Sequence, residues 1–295
     1  MTTAVIDNKV KQVISNIRNL PTPPIVFHQI QKVIADPKVS AGQIASILSE
    51  DPAMSVKVLK LTNSAFYGLN REIETVKEAV VIVGMEAVRN LVLSASVLDM
   101  FKGKSVDVEF QERFWRHSLA TAFCSRIMAR RMHSRGMVDP DAAFSAGLLH
   151  DIGKIVLCCF LPAEYKSFDE ARLKDTTSAT YMVEDNVLGY NHTQIGSILA
   201  GQWKLPHKII EAITYHHSPQ LDETSDPIAY VVYLANFVAK SAYYDSFQES
   251  HLIGTVDNRV LEYMKVTEAE LHTYGEQLKV EYSKAETFMK MVGLS

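Results

Sequence analysis

Gly147-Leu148-Leu149-His150-Asp151-Ile152-Gly153-Lys154 is the stretch on which the reading of this chain turns. At helical spacing Gly147, His150, Asp151 and Lys154 fall on one side, while Leu148, Leu149, Ile152 and Ile155 cover the other. A histidine and an aspartate thus sit against an apolar core. Neighbouring residues on a helix are splayed by roughly 100°, so both can reach one cavity only at its wall. Gly147 and Gly153 allow close approach of a neighbouring backbone.

Outward from this doublet the same pattern repeats. Phe114, His117, Thr121 and Cys124 share a helical face, as do His192, Ile195, Leu199 and Trp203, and Ile209, Ile213 and His216, with His217 beside it. Each ring nitrogen of a buried histidine needs a partner. Hydrogen bonds to backbone carbonyls satisfy one such residue. Several converging on a carboxylate also suit a divalent ion, and imidazole with carboxylate fits Fe, Mn, Ni or Zn, as one or two ions. The candidate ligands are His117, His150, Asp151, His192, His216 and His217, with Asp151 the natural bridge between two ions. Lys154, one turn on, is placed to meet a phosphate as a point charge.

The periodicity is helical nearly throughout, and no alternating run argues for a sheet. Helix starts are marked by Ser40, Asp51-Pro52, Thr75, Asp139-Pro140, Asn191, Asp226-Pro227 and Thr267-Glu268-Ala269-Glu270. Pro21-Thr22-Pro23-Pro24 ends the first helix, and a long one is predicted from about Asp107 to His133. The apolar pattern lapses at Gly103-Lys104-Ser105. The expectation is an all-α, two-lobed helical bundle, with an N-terminal lobe over 1–103 and a second lobe with C-terminal helices over 104–295.

Composition narrows the function. The chain has 295 residues, is 47% hydrophobic and carries a formal net charge of -4, which argues for a buried core and against a basic nucleic-acid surface. The three cysteines, Cys124, Cys158 and Cys159, form no CxxC pair and fit a reducing cytoplasm. The longest apolar runs, Ala79 to Val83 and Ile155 to Leu161, fall short of a membrane span, and no signal peptide is evident. Neither membrane nor nucleic acid is expected as a partner. The basic end formed by Arg126, Arg130, Arg131 and Arg135 reads as dipole complementation, or as an anion-binding rim. Asn63-Ser64 with Phe66-Tyr67-Gly68 reads as a packing joint between the lobes, or a docking surface.

His117, the His150-Asp151 doublet and a late position near Ala235-Asn236 resemble the signature of the HD superfamily of metal-dependent phosphohydrolases. Leu149 to Lys154 is similar to the doublet region of the HD-GYP cyclic-dinucleotide phosphodiesterases, and His192 and His216-His217 match the additional metal histidines of that branch. Three departures stand out. Asn236 takes the place of the late aspartate, Arg113 stands where several HD-GYP proteins have glutamate, and Ser218-Pro219-Gln220-Leu221 replaces their Gly-Tyr-Pro loop.

Leu20-Pro21-Thr22-Pro23-Pro24, Glu50-Asp51-Pro52, Leu61 to Gly68, Ala79-Val80 with Val83-Gly84, and Gly201 to Pro206 resemble the HDOD (HD-related output domain) family. That resemblance spans roughly residues 15 to 245. It implies an all-α bacterial signal-transduction module that binds a protein partner or a small phosphorylated ligand, with a degenerate metal site rather than efficient turnover. The alternative it implies is a phosphohydrolase acting on a nucleotide or cyclic dinucleotide, with Asp151 and Lys154 in the catalytic roles.

Overall fold

The computed structural model describes residues 10–15, 17, 25–63, 67, 69–98, 107–133, 138–175, 177–222, 226–243 and 255–291. The expectations placed on Pro21-Thr22-Pro23-Pro24, Ser64, Phe66, Gly68, Gly103-Lys104-Ser105 and Arg135 lie outside these residues. The described residues are helical or irregular and contain no strand, so the fold is all-α. Tertiary contacts group residues 21–102 with 280–295 in one unit, and 103–279 with 1–20 in the other.

The smaller unit holds α1 (Ile25–Ile34), α2 (Ala41–Ser49), α3 (Pro52–Thr62), α4 (Val76–Val83) and α5 (Met85–Leu98). Ser40 closes a capping box with Gln43, Asp51 caps α3 ahead of a proline at its first turn, and Thr75 caps α4. These helices meet over Phe27, Ile30, Ile44, Leu48, Val58 and Val88, all fully buried. Asn63 is a strut inside this unit. Its amide donates to the Ile73 carbonyl and its side-chain oxygen accepts from the Ile73 N–H, each at 2.7 Å. The joint read in the sequence thus ties the end of α3 to the segment leading into α4.

The larger unit holds α6 (Val108–His133), α7 (Pro140–Leu149), α8 (Ile152–Phe160), α9 (Pro162–Arg172), α10 (Thr180–Leu188), α11 (His192–Gln202), α12 (His207–Tyr215), α13 (Pro227–Tyr243) and α14 (Asn258–Met264). The final helix, α15 (Glu268–Met291), begins in it, behind the Thr267–Glu270 capping box. Helix α6 packs along α7 and α13, while α11 packs on α8 and α12. Leu119, Ile155, Ile195, Ile213 and Leu234 fill the space between them without solvent exposure. Two cations of the basic helix end serve the scaffold: Arg131 pairs with Glu270 at 2.5 Å, and Arg126 with Asp141 at 3.4 Å.

The stretch Pro140–Phe160 is long and apolar enough to cross a membrane by length and composition, contrary to the reading of its shorter runs. Most of it is buried inside the fold, and the chain turns at His150-Asp151 in its middle. Such a stretch is what the core of an all-α unit needs.

Candidate metal centre

The doublet occupies the break between α7 and α8. His150 ends α7 in helical conformation, and Asp151 (φ -99°, ψ 11°) starts α8. This break lets adjacent side chains reach one cavity without the splay of a continuous helix. Two glycines bring the remaining helices close. A Cβ on Gly153 would overlap the His192 carbonyl oxygen and lie 2.9 Å from the Gly196 nitrogen. A Cβ on Gly147 would lie 2.8 Å from the Ala122 Cα.

Six of the predicted side chains converge. His117 Nε2 lies 3.2 Å from His150 Nε2, and these nitrogens lie 3.6 and 3.2 Å from Asp151 Oδ2. The other carboxylate oxygen, Oδ1, faces His192 Nε2 at 3.1 Å and His216 Nε2 at 3.6 Å. His217 Nε2 is 3.2 Å from His192 Nε2, which is 3.4 Å from His216 Nε2. Two donor sets result, His117–His150–Asp151 and Asp151–His192–His216–His217, with the ligand atoms of each within 4.8 Å of one another.

The hydrogen bonds on the far side of each ring fix its chemistry. His150 Nδ1 donates to the Gly147 carbonyl at 2.7 Å, and His216 Nδ1 to the Ile213 carbonyl at 2.9 Å. A carbonyl can only accept, so both protons are on Nδ1. His192 Nδ1 donates to Glu184 at 2.6 Å, and its backbone N–H reaches the same oxygen at 2.7 Å. When these rings are neutral, the Nδ1 hydrogen bonds turn the Nε2 lone pairs of His150, His192 and His216 inward. Asp151 Oδ1 is buried with no hydrogen-bond partner, 3.1 Å from His192 Nε2. Lone pairs and an orphaned carboxylate oxygen packed together call for a cation, and the imidazole–carboxylate donor set fits a divalent metal ion of the Fe, Mn, Ni or Zn type.

Electrostatics point the same way. Burial holds His117 and His217 well below the ordinary histidine range and pushes His216 down to about 3, so these rings stay neutral. Burial pushes the Asp151 carboxyl up, but the Lys154 ammonium and the hydrogen-bonding imidazoles around it outweigh this and hold the group well below its usual value. Lys154 Nζ contacts Asp151 Oδ2 at 2.7 Å. His192 differs: burial lowers it, but Glu184 outweighs this and raises its pKa.

Asn236 is buried on α13 with its side-chain oxygen unsatisfied, one turn before Lys240. It is not joined to the cluster by a hydrogen bond. Lys240 itself, pushed down to about 8 by burial and by Lys154, adds a cation that the sequence reading did not single out. Glu184 was missed as well. Its signal was an acid inside Tyr181-Met182-Val183-Glu184, eight residues before a predicted ligand, on a helix whose start lacks a side-chain cap.

Beside the cluster lies a cavity of about 130 Å³, whose lining includes His117, Asp151, Lys154, Arg113, Arg172 and Tyr165. Helix α9, which begins at the Leu161-Pro162 break, supplies Tyr165 and Arg172.

With this architecture in view, the HDOD domain family matches residues 20–219, and the chain belongs to that family. Among solved structures, it is similar to one from Shewanella amazonensis, provisionally named a phosphohydrolase, with a TM-score of 0.73 and 24% identity over 98% of each chain. An HDOD domain protein of unknown function from Geobacter sulfurreducens matches with a TM-score of 0.70 at 22% identity, over 94% of this chain and 99% of that one. A protein from Marinobacter aquaeolei, provisionally named for signal transduction, matches at 0.75 and 21%, over 99% of this chain and 66% of that one. These likenesses establish the shared fold. An uncharacterized protein of Treponema pallidum is 27% identical over 76% of this chain, which spans only 43% of that relative's length.

Proposed function

We propose that this HDOD protein is a bacterial signalling module that holds divalent metal at its histidine cluster and binds a phosphorylated small ligand there. The observation that carries the reading is the shared carboxylate: Asp151 turns one oxygen to His117 and His150, and the other to His192, His216 and His217. Divalent ions, when bound, supply the concentrated positive charge that attracts phosphoryl oxygens. The protein's own groups do the rest. Glu184 keeps the Nε2 lone pair of His192 turned inward, Gly147 and Ile213 do the same for His150 and His216, and Lys154 stands at the cavity wall as a further cation.

Charge counting favours holding a ligand over turning it over. With the imidazoles unprotonated, as metal binding requires, the carboxylates of Asp151 and Glu184 contribute two negative charges, Lys154 beside Asp151 offsets one of them, and the amide of Asn236 adds none. A site carrying one or two divalent ions therefore stays strongly positive and retains anions.

Hydrolysis of a nucleotide or cyclic dinucleotide is the second reading, and the same bridging position of Asp151 favours it. Elemental analysis of protein purified without a chelating column, then titration with inorganic phosphate and an assay of phosphodiester cleavage on a chromogenic diester, separates the two. Bound metal with phosphate affinity and no cleavage supports the module. Metal with turnover supports the hydrolase. No metal after loading with manganese, iron or zinc sinks both.

A further inference from the structure

The cavity beside the metal cluster does not end at its own wall. A second cavity of about 400 Å³ adjoins it, and four residues line both: Phe110, Arg113, Tyr165 and Arg172. Phe110 meets Tyr165 edge to face at 5.7 Å between ring centres. The two guanidiniums come from different helices, α6 and α9, and line both cavities together with Tyr165. Burial, first among several influences, pushes the Tyr165 hydroxyl up to about 12, leaving it a neutral donor. Each arginine is only loosely engaged on its own helix, Arg113 with Glu109 at 3.4 Å and Arg172 with Asp169 at 3.3 Å. The Arg113 pair is exposed and the Arg172 pair half-buried, and both are long enough for a better-matched anion to compete.

Size sets what can pass. An inner space of about 130 Å³ is comparable with the cavity of about 150 Å³ that takes one benzene-sized molecule, which suits a phosphoryl group better than a nucleoside. A phosphate ester whose phosphoryl group sits in the inner space has room for its organic part in the outer one, with the link between the two at the residues that line both. A neck with two guanidiniums and a phenol suits a second anionic group, since guanidinium forks match phosphate oxygens.

Resting on the metal-bound reading above, we propose that the ligand is a diphosphate ester: its terminal phosphoryl group enters the inner cavity beside Lys154, its second phosphoryl group is held by Arg113, Arg172 and Tyr165, and its organic body lies in the outer cavity. Arg113 and Arg172 are then specificity-determining residues that distinguish diphosphates from monophosphates.

The test is calorimetric titration of the metal-loaded protein with inorganic phosphate, inorganic diphosphate, adenosine monophosphate and adenosine diphosphate. The expected result is at least about tenfold tighter binding of each diphosphate than of its monophosphate counterpart, one to two charge-assisted hydrogen bonds' worth of affinity. Arg113→Ala with Arg172→Ala should abolish that preference, while metal content is kept and phosphate affinity changes less than about threefold. Should the pair fail to fold, Arg172→Gln alone should reduce the preference. Adenosine diphosphate binding more tightly than inorganic diphosphate supports the outer cavity as the seat of the organic body; equal affinity overturns that part. Phosphate bound with no preference for diphosphate, or a preference that survives in the arginine variants, overturns the proposal and leaves the metal-bound reading intact. Loss of metal and of all phosphate binding in the unaltered protein overturns both.

Discussion

Glu184 Oε2 lies 2.6 Å from His192 Nδ1, and both side chains are buried. A carboxylate behind a ligating imidazole fixes the tautomer and raises the basicity of the opposite nitrogen. Glu184→Gln keeps the volume and can still accept a hydrogen bond, but the charge behind the ring is lost. Metal affinity should fall by about 10- to 100-fold, the usual effect of removing such an outer partner. Competition with a fluorescent chelator measures it. An unchanged affinity would mean that His192 is not a ligand.

Because Asp151 belongs to both donor sets, single substitutions should separate the ions. His117→Ala weakens only the set with His150, and His217→Ala only the set with His192 and His216. Each should remove about one ion where the unaltered protein holds two, whereas Asp151→Asn should remove both. Elemental analysis of the three variants reads this out. If Asp151→Asn loses no more metal than His117→Ala, the carboxylate is not shared.

The sequence exposed most of this site because its ligands lie on periodic apolar faces: His192 with Ile195 and Leu199, and Ile209 and Ile213 with His216. The helix starts at Ser40, Asp51, Asp139 and Asn191 were legible because their side chains cap by local chemistry. What stayed hidden depends on distant contacts. Helix α10 starts without a side-chain cap, so neither the helix nor Glu184 announced itself. The break between α7 and α8 was read as one continuous helix, because Leu148 to Ile155 keeps an unbroken helical period across it. Asn63 was read as a joint between lobes, and only the fold reveals its partner as Ile73, ten residues on in the same unit.

Gly153 is the closest backbone approach in the site. An added Cβ would overlap the His192 carbonyl oxygen and sit 2.8 Å from its carbon, all backbone atoms that cannot rotate away. Gly153→Ala must therefore push α8 from α11 and should cost about 3 kcal/mol or more. Gly201→Ala, where a Cβ would meet nothing within 4 Å, is the control and should leave stability unchanged or slightly raised. Urea denaturation of both variants checks the contrast, and equal midpoints would show that the two helices are not held together at Gly153.

Acid should unfold the metal-free protein earlier than its carboxylates alone would require. His117, His216 and His217 are held neutral by burial, with pKa values depressed below the ordinary 6.5. In the unfolded chain the same rings take up protons as pH falls through about 6.5, and the folded state does not match them. Their contribution is therefore present above that pH and lost below it, by at most about 1.4 kcal/mol per pH unit for each ring. His192 opposes this, because its raised pKa makes the folded state bind a proton more readily, a contribution present below 6.5 and lost as pH rises through the folded value. Asp151, held well below its usual value, adds a further loss only under about pH 4. With three rings against one, stability should fall from pH 7 to pH 5 by about 3 kcal/mol or more. Urea midpoints of the metal-free protein at the two pH values measure it. A flat profile would mean that these histidines are not buried as neutral rings.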